Sequence, residues 1–452
     1  MKTYNKGFIY FICLVSAMGG LLFGYDWVVI GGAKIFYEQF FDIAGDPGMQ
    51  GLAMSIALAG CLIGALTAGM LADKLGRKPL LLLSALIFVL TAYGTGAFSN
   101  FHLFLLARFC GGIAIGIASG LSPMYIAEVA PTHIRGKLVS LNQLTIVIGI
   151  LAAQIVNWLL VSDDTAWNVA MSWRWMFWSA AFPALAFLVL AAFIPESPRW
   201  LAMKGRRERA TQILTRIGGN AYAQSELSSL QNDMENKQKQ GGLSLLFSKP
   251  YRRVLTLGII VAMFQQWCGT NVIFNYAQEV FQSAGYDVDN TFINIVVTGI
   301  ANLVFTFVAI YTVDRLGRRA LMLLGAGGLA GIYLILGICY YFEVSGIFMV
   351  VLVVTAIACY AMTLGPVTWV LLSEIFPNKV RGVAVATGTF ALWVASFILT
   401  YTFPFLNKAL GTAGTFWIYT AICAAGLVFF LFRMPETKGK SLEQLEKEMV
   451  DE

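Results

Sequence analysis

Twelve stretches of about twenty apolar residues run along this chain, and no other feature narrows its possible folds as much. They fall at residues 8–31, 50–72, 79–98, 102–127, 138–161, 173–194, 254–282, 290–312, 320–341, 346–373, 383–406 and 413–433. A helix rising about 1.5 Å per residue needs about 20 residues to cross a hydrocarbon core about 30 Å thick. Hydrocarbon also obliges each spanning segment to satisfy its own backbone polar groups. The expected fold class is therefore an all-α membrane protein with twelve transmembrane helices. Composition closes the alternatives: 58% of the 452 residues are hydrophobic and only 12% charged, against about 25% charged in a soluble domain. A soluble multi-domain enzyme could not cover its surface with so few polar groups, and a disordered chain would not be this apolar.

The first stretch imitates a secretory signal. Lys2 and Lys6 precede an apolar run that reaches the small residues Ser16, Ala17, Gly19 and Gly20. The run continues to about Ile30, so a retained first helix is expected. The seven cysteines (Cys13, Cys61, Cys110, Cys268, Cys339, Cys359 and Cys423) lie in apolar segments without C-x-x-C spacing. They read as packing residues, with no disulfide framework and no metal site.

Charge placement sets the expected topology. Of the 31 lysines and arginines, 27 fall at the N-terminus, in alternate loops, in the central polar stretch or in the C-terminal tail. Lys34, Arg174 and Lys408 lie toward the other face, and Arg108 lies inside a span. By the positive-inside rule both termini and the central loop are cytoplasmic. The net charge of +6 is then a topological signal, and nucleic acid is not needed to explain it. The organisation expected is an N-terminal six-helix bundle over 1–196, a linker of short amphipathic helices over 197–251, a second bundle over 252–434 and a tail over 435–452.

The two halves repeat. LADKLGRKPL around Asp73 returns as TVDRLGRRAL around Asp314, EVAPTHIRGK returns as EIFPNKVRGV, and PESPRW returns as PETKGK, all at offsets of 240 to 246 residues. Halves repeated in the same orientation imply a pseudo-twofold axis along the membrane normal, with a substrate site between them near the midplane. The repeated loops place Asp73, Arg77, Glu128, Arg135, Glu196 and Arg199 in one half, and Asp314, Arg318, Glu374, Arg381 and Glu436 in the other. These groups are expected to form an ionic network at the cytoplasmic end of each half. One reading is a gate that holds the inner side shut; the other is simple positive-inside retention, which needs no matching acids.

At membrane depth two ionisable residues stand out. Asp26 lies in the outer half of the first span, and Arg108 lies about 9 Å below the outer surface in the fourth. A lone charge there costs about 2.5–3.5 kcal/mol or more, so the two are expected to pair. The pair is either structural or a proton-coupling switch, in which Arg108 holds Asp26 ionised until a conformational change separates them. His102 and His133 lie at the boundaries and make poor relays.

A second group is polar and neutral. FQQWCGTNVIFNY in the seventh span carries Gln265, Gln266, Asn271 and Tyr276, with Gly269 as an expected kink. Gln154, Asn302 and Trp393 fall at comparable depth, and Trp369 lies deeper after Gly365. Amides offer donors and acceptors together, and aromatic faces pack on C–H surfaces, which suits a neutral polyhydroxylated ligand such as a sugar. Each amide taken singly also fits a role as glue between helices.

With these residues placed, the chain resembles the sugar porter family of the major facilitator superfamily over essentially its whole length. The resemblance rests on GGLLFGYD, DKLGRK and DRLGRR, RFCGGIAIGIASGLSPMYIAEVAPTHIRGKL, PESPRWL, FQQ-x-x-G-x-N, GPVTWVLLSEIFP and PETKGKSLEQLE. Within the family it is nearer the bacterial D-xylose–proton symporters than the glucose facilitators. It implies sugar contacts from Gln265, Gln266, Asn271, Tyr276, Asn302, Gly365, Trp369 and Trp393 with Phe23 nearby, and proton coupling at Asp26 with Arg108. Three positions depart from the family pattern: Asn275 stands in the usual tyrosine pair, Ile150 replaces a glutamine after Gly149, and Leu392 replaces an amide before Trp393. Gln154 is the expected replacement for the missing glutamine, as in the facilitators.

The function expected is proton-coupled monosaccharide symport by alternating access across the inner membrane, for a pentose or hexose. The protein is expected to work as a monomer in the lipid bilayer, with the proton as coupling ion and no other cofactor. Uniport with Asp26 structural is the alternative. A non-transporting sensor is remoter, since only 17 residues follow Pro435. No histidine cluster, metal spacing or activated nucleophile points to an enzyme.

Overall fold

The computed structural model describes residues 4–237, 243–377, 380–438 and 444. Every regular element among them is helical. Among the described residues eleven helices are long and apolar enough to cross a membrane, and the last, Arg381–Arg433, runs for 53 residues. It holds a non-helical Gly411 (φ 68°, ψ 175°), which divides it into the expected eleventh and twelfth spans. Large apolar side chains such as Phe182 (73% exposed) and Phe432 (81%) point away from the protein, as lipid permits.

The D-x-L-G-R turns follow from glycine geometry. Gly76 and Gly317 sit at φ 104° and 89°, a region that L side chains rarely adopt. A Cβ at Gly76 would also lie 2.4 Å from a Glu196 oxygen, and one at Gly317 would lie 2.7 Å from a Glu436 oxygen. The glycine is therefore required both for the turn and for the carboxylate that caps the next helix.

Several spans are more broken than the hydrophobic pattern suggests. The first helix runs to Phe40, well past the expected end. The sixth contains a π turn at Asn168–Ser172. The seventh divides into Lys249–Trp267, Thr270–Asn275 and Ala277–Ser283, with Gly269 at φ 89° as the expected kink. The tenth divides at Thr363 (φ −123°, ψ −91°) into Ile347–Met362 and Leu364–Glu374. The linker forms the short helices expected of it. On Arg207–Gly218 the buried residues Ala210, Leu214 and Ile217 make one face, and Trp200 and Leu201 pack against Ala210. The tail beyond Lys438, apart from Gln444, lies outside the described residues, and with it most of GKSLEQLE.

The chain packs as two compact units. The first comprises Met1–Asp26, Ala59–Ala152 and Arg174–Gln240; the second comprises Trp27–Leu58, Ala153–Trp173 and Gly241–Glu452. In the first unit the glycines of GGLLFG bring the first and fifth spans into backbone contact. A Cβ on Gly24 would lie 1.9 Å from the Ile146 carbonyl oxygen, and one on Gly149 would lie 2.1 Å from that of Leu21. Small residues allow such approach in a medium that offers no hydrophobic drive between helices.

Candidate transport site

In the first unit, Arg108 donates through Nη1 to Asp26 Oδ1 at 2.6 Å. Both residues are buried, at 5% and 8% exposure, so the pairing expected from their depths is present. This bond engages one carboxylate oxygen, and the Arg108 Nε is buried without a hydrogen-bond partner. The guanidinium also lies 5.4 Å from the centre of the Phe177 ring. A single-oxygen contact with an idle donor is a geometry that a small movement can break. Next along the helix, the Tyr25 hydroxyl shares a 2.6 Å hydrogen bond with Ser179. Phe23 lies half-buried one turn before Asp26, in the same unit.

The second unit holds the amides. The break at Gly269 turns Asn271 back toward the end of the preceding helix, where its Nδ2 donates to Gln266 Oε1. Gln266 Nε2 donates in turn to Gln265 Oε1, and Gln265 Nε2 donates to the Tyr360 hydroxyl. Three expected site residues thus form one row, which ends on Tyr360, a residue that no sequence signal marked. Asn302 and Trp393 are buried in this unit at 5% and 4% exposure, and Trp393 lies 6.3 Å, centre to centre, from Trp27. Tyr276 is only 1% exposed, and its hydroxyl is engaged, donating to the Thr400 carbonyl at 2.6 Å. Gly365 follows the break at Thr363, and Trp369, a turn further on, is 42% exposed.

Gln154 is the exception among the amides. It is 1% exposed, yet neither its oxygen nor its nitrogen has a hydrogen-bond partner. A buried amide left unpaired costs about 1–3 kcal/mol, so a side chain kept in that state suits a group waiting for a polar ligand. Gln154→Leu is expected to raise the melting temperature of the sugar-free protein while weakening sugar binding about tenfold or more. Thermal melts and binding titrations on the same purified sample check both signs. A variant that melts lower and binds normally would assign Gln154 to helix packing.

Each unit also carries an ionic cluster at its D-x-L-G-R turn. In the first, Arg77 makes two bonds of 2.9 Å to Glu128 and one of 3.1 Å to Asp73. The Glu196 carboxylate accepts from the Arg77 backbone N–H at 2.9 Å. In the second, Arg318 contacts Glu374 at 2.9 and 3.2 Å, and Glu436 accepts from the Arg318 N–H at 3.0 Å. Thr437 adds a 2.6 Å bond to Glu374. The equivalence extends to Lys78 and Arg319, which donate to the carbonyls of Ala192 and Leu431, each at 2.7 Å.

The expected networks need correction at two arginines. Arg381 donates to the Phe376 carbonyl at 3.1 Å, and one of its terminal nitrogens is buried without a partner. Arg135 Nε is likewise unpartnered. Both begin a helix, and the bidentate fork of Arg77 or Arg318 already occupies the glutamate. Arg199 sits half-buried on Pro198–Met203, and the side chain of Asp314 lies outside the described ones.

Sequence reading also missed a cluster in the second unit. Lys34 pairs with Glu38 one turn along its own helix at 2.8 Å, and with Glu279 on the segment Ala277–Ser283. Gln50 donates to Glu38 at 3.0 Å, and Gln278 donates to the Gly32 carbonyl at 2.8 Å. The i, i+4 spacing of Lys34 and Glu38 was the one visible signal.

Comparisons with known proteins agree with this architecture. The family model described as "Sugar (and other) transporter" matches residues 12–449. The arabinose-proton symporter of Bacillus subtilis is 37% identical over 448 residues, which cover 99% of this chain and 96% of that protein. The D-xylose-proton symporter of Escherichia coli is 38% identical over 474 aligned residues, covering 98% and 96%. Among solved structures, the inward open conformation of the xylose transporter XylE from E. coli matches with a TM-score of 0.88 at 36% identity, covering 98% of this chain and all of that one. XylE bound to 6-bromo-6-deoxy-D-glucose matches with a TM-score of 0.81 at 37% identity, covering 99% and 100%. The chain belongs to the sugar transporter family, as a multi-pass membrane transporter of the major facilitator fold and not an enzyme.

Proposed function

We propose that this protein is a proton-coupled monosaccharide symporter that works by alternating access as a monomer in the inner membrane, with both termini cytoplasmic. The observation that carries the reading is the buried, single-oxygen contact between Arg108 and Asp26. The contact joins an acid that can carry a hydrogen ion to a basic group on another span, and a conformational step that parts the two links that ion to the movement. The amides Gln265, Gln266, Asn271, Asn302 and Gln154 supply the donors and acceptors for sugar hydroxyls, and Trp393 supplies an apolar face. Phe23, Tyr276, Gly365 and Trp369 complete the proposed site, and the Arg77 and Arg318 clusters serve as its cytoplasmic gate. Relatives named as proton symporters for arabinose, xylose and galactose support the coupling and the substrate class.

The expected outcome in proteoliposomes is uptake of one or more of xylose, arabinose, galactose and glucose, with accumulation only under an inwardly directed proton gradient. Equal uptake with and without the gradient would make the protein a uniporter. Failure of every sugar to compete would remove the monosaccharide reading.

A further inference from the structure

The row of amides in the second unit has an anchor outside the seventh span. Gln265 and Gln266 each spend one N–H and one oxygen lone pair on neighbours, and Asn271 spends one N–H, which leaves donor and acceptor capacity in the row for a ligand. A sugar hydroxyl, which donates once and accepts, needs that pairing in a fixed place. Fixing it is difficult for glutamines, whose side chains have three rotatable bonds and lose rotamer freedom when held. Asn271 is held near Gln266 by the helical turn Thr270–Asn275 that follows Gly269. At the other end, Gln265 has its nitrogen on the hydroxyl of Tyr360 at 2.5 Å.

Tyr360 stands on Ile347–Met362, three residues before the break at Thr363. That break has its own support: the Thr363 hydroxyl donates to the Cys359 carbonyl at 2.5 Å. Tyr360 is thus held by a helix end that is itself fixed, and a phenol has few rotamers to lose. Resting on the sugar site proposed above, we propose that Tyr360 is a positioning residue for that site. Its hydroxyl fixes the Gln265 amide and, through Gln265 and Gln266, sets the row against which sugar hydroxyls are matched. Without the hydroxyl, the Gln265 nitrogen is a buried donor with its partner removed, and the amide turns to find another.

The test is a cycle of four proteins in proteoliposome counterflow: wild type, Tyr360→Phe, Gln265→Ala and the double variant. Tyr360→Phe is expected to raise KM about tenfold with kcat nearly unchanged, and to narrow the KM ratio between epimeric sugars. Because the effect passes through Gln265, the double variant is expected to have the KM of Gln265→Ala alone. An unchanged KM in Tyr360→Phe, or effects that multiply in the double variant, would overturn the assignment while leaving the sugar site standing. A wild type that transports no monosaccharide would fail the proposed function itself, and this assignment with it. Tyr360→Met, also without a hydroxyl, replaces Tyr360→Phe in the cycle if the phenylalanine variant does not fold.

Discussion

Asp26→Asn is expected to abolish accumulation of sugar against a gradient while sparing counterflow, in which labelled sugar exchanges at equal concentration on both sides. The substitution keeps the size of the side chain and its ability to accept from Arg108, whose Nη1 lies 2.6 Å from Asp26 Oδ1. What it removes is the exchangeable proton and the negative charge. Exchange needs only that the sugar-loaded protein reorient, and a neutral residue at this position resembles the protonated acid. Net uphill transport needs the acid to give its proton up inside and regain it outside, so the accumulation ratio falls to that of passive equilibration. Filter uptake with and without an imposed pH gradient measures both activities on the same vesicles. Retained accumulation in Asp26→Asn would place the coupling elsewhere.

Lys34→Met is expected to be the most destabilising of the simple charge removals. The Lys34 ammonium lies between Glu38, 2.8 Å away, and Glu279, and its own side chain is only 6% exposed. The two carboxylates are 7% and 23% exposed at the side chain. Glu279 also has an oxygen, Oε2, that is buried without a hydrogen-bond partner. Removing the lysine leaves two acids facing one another with no counter-charge, and breaking a buried pair in this way costs about 3–5 kcal/mol. Melting of the purified protein in detergent is the measurement. A large loss in Lys34→Met that Glu279→Gln partly restores in the double variant is the expected pattern, since the second change removes one of the stranded acids. A melt within a degree of wild type would mean that the cluster contributes nothing to stability.

Much of the architecture was readable because its causes are local. Spans announce themselves by apolar length, and the D-x-L-G-R turns by a glycine that only positive φ explains. Ala210, Leu214 and Ile217 recur at helical spacing, which is why the linker helix was legible. The Asp26–Arg108 pair was reachable across 82 residues of sequence because the membrane supplies a depth scale and makes an unpaired charge expensive. Where that scale was missing, inference stopped. Lys34 and Glu279 are separated by 245 residues, and their meeting depends on how the seventh span breaks at Gly269 and again at Tyr276. The break at Thr363, and with it the placement of Tyr360, has no glycine or proline at the breaking residue to announce it. Arg135 and Arg381 failed for a different reason. Repetition showed that they are equivalent, but which arginine reaches the glutamate depends on fork geometry that spacing does not encode.

Movement of hydrogen ions with sugar is the most direct test of the whole account. Proteoliposomes holding a pH-sensitive dye receive a transported monosaccharide on the outside, with no other gradient imposed. The account predicts that the lumen acidifies as sugar enters, and that Asp26→Asn abolishes the acidification. Sugar entry at the normal rate with a constant internal pH would contradict it.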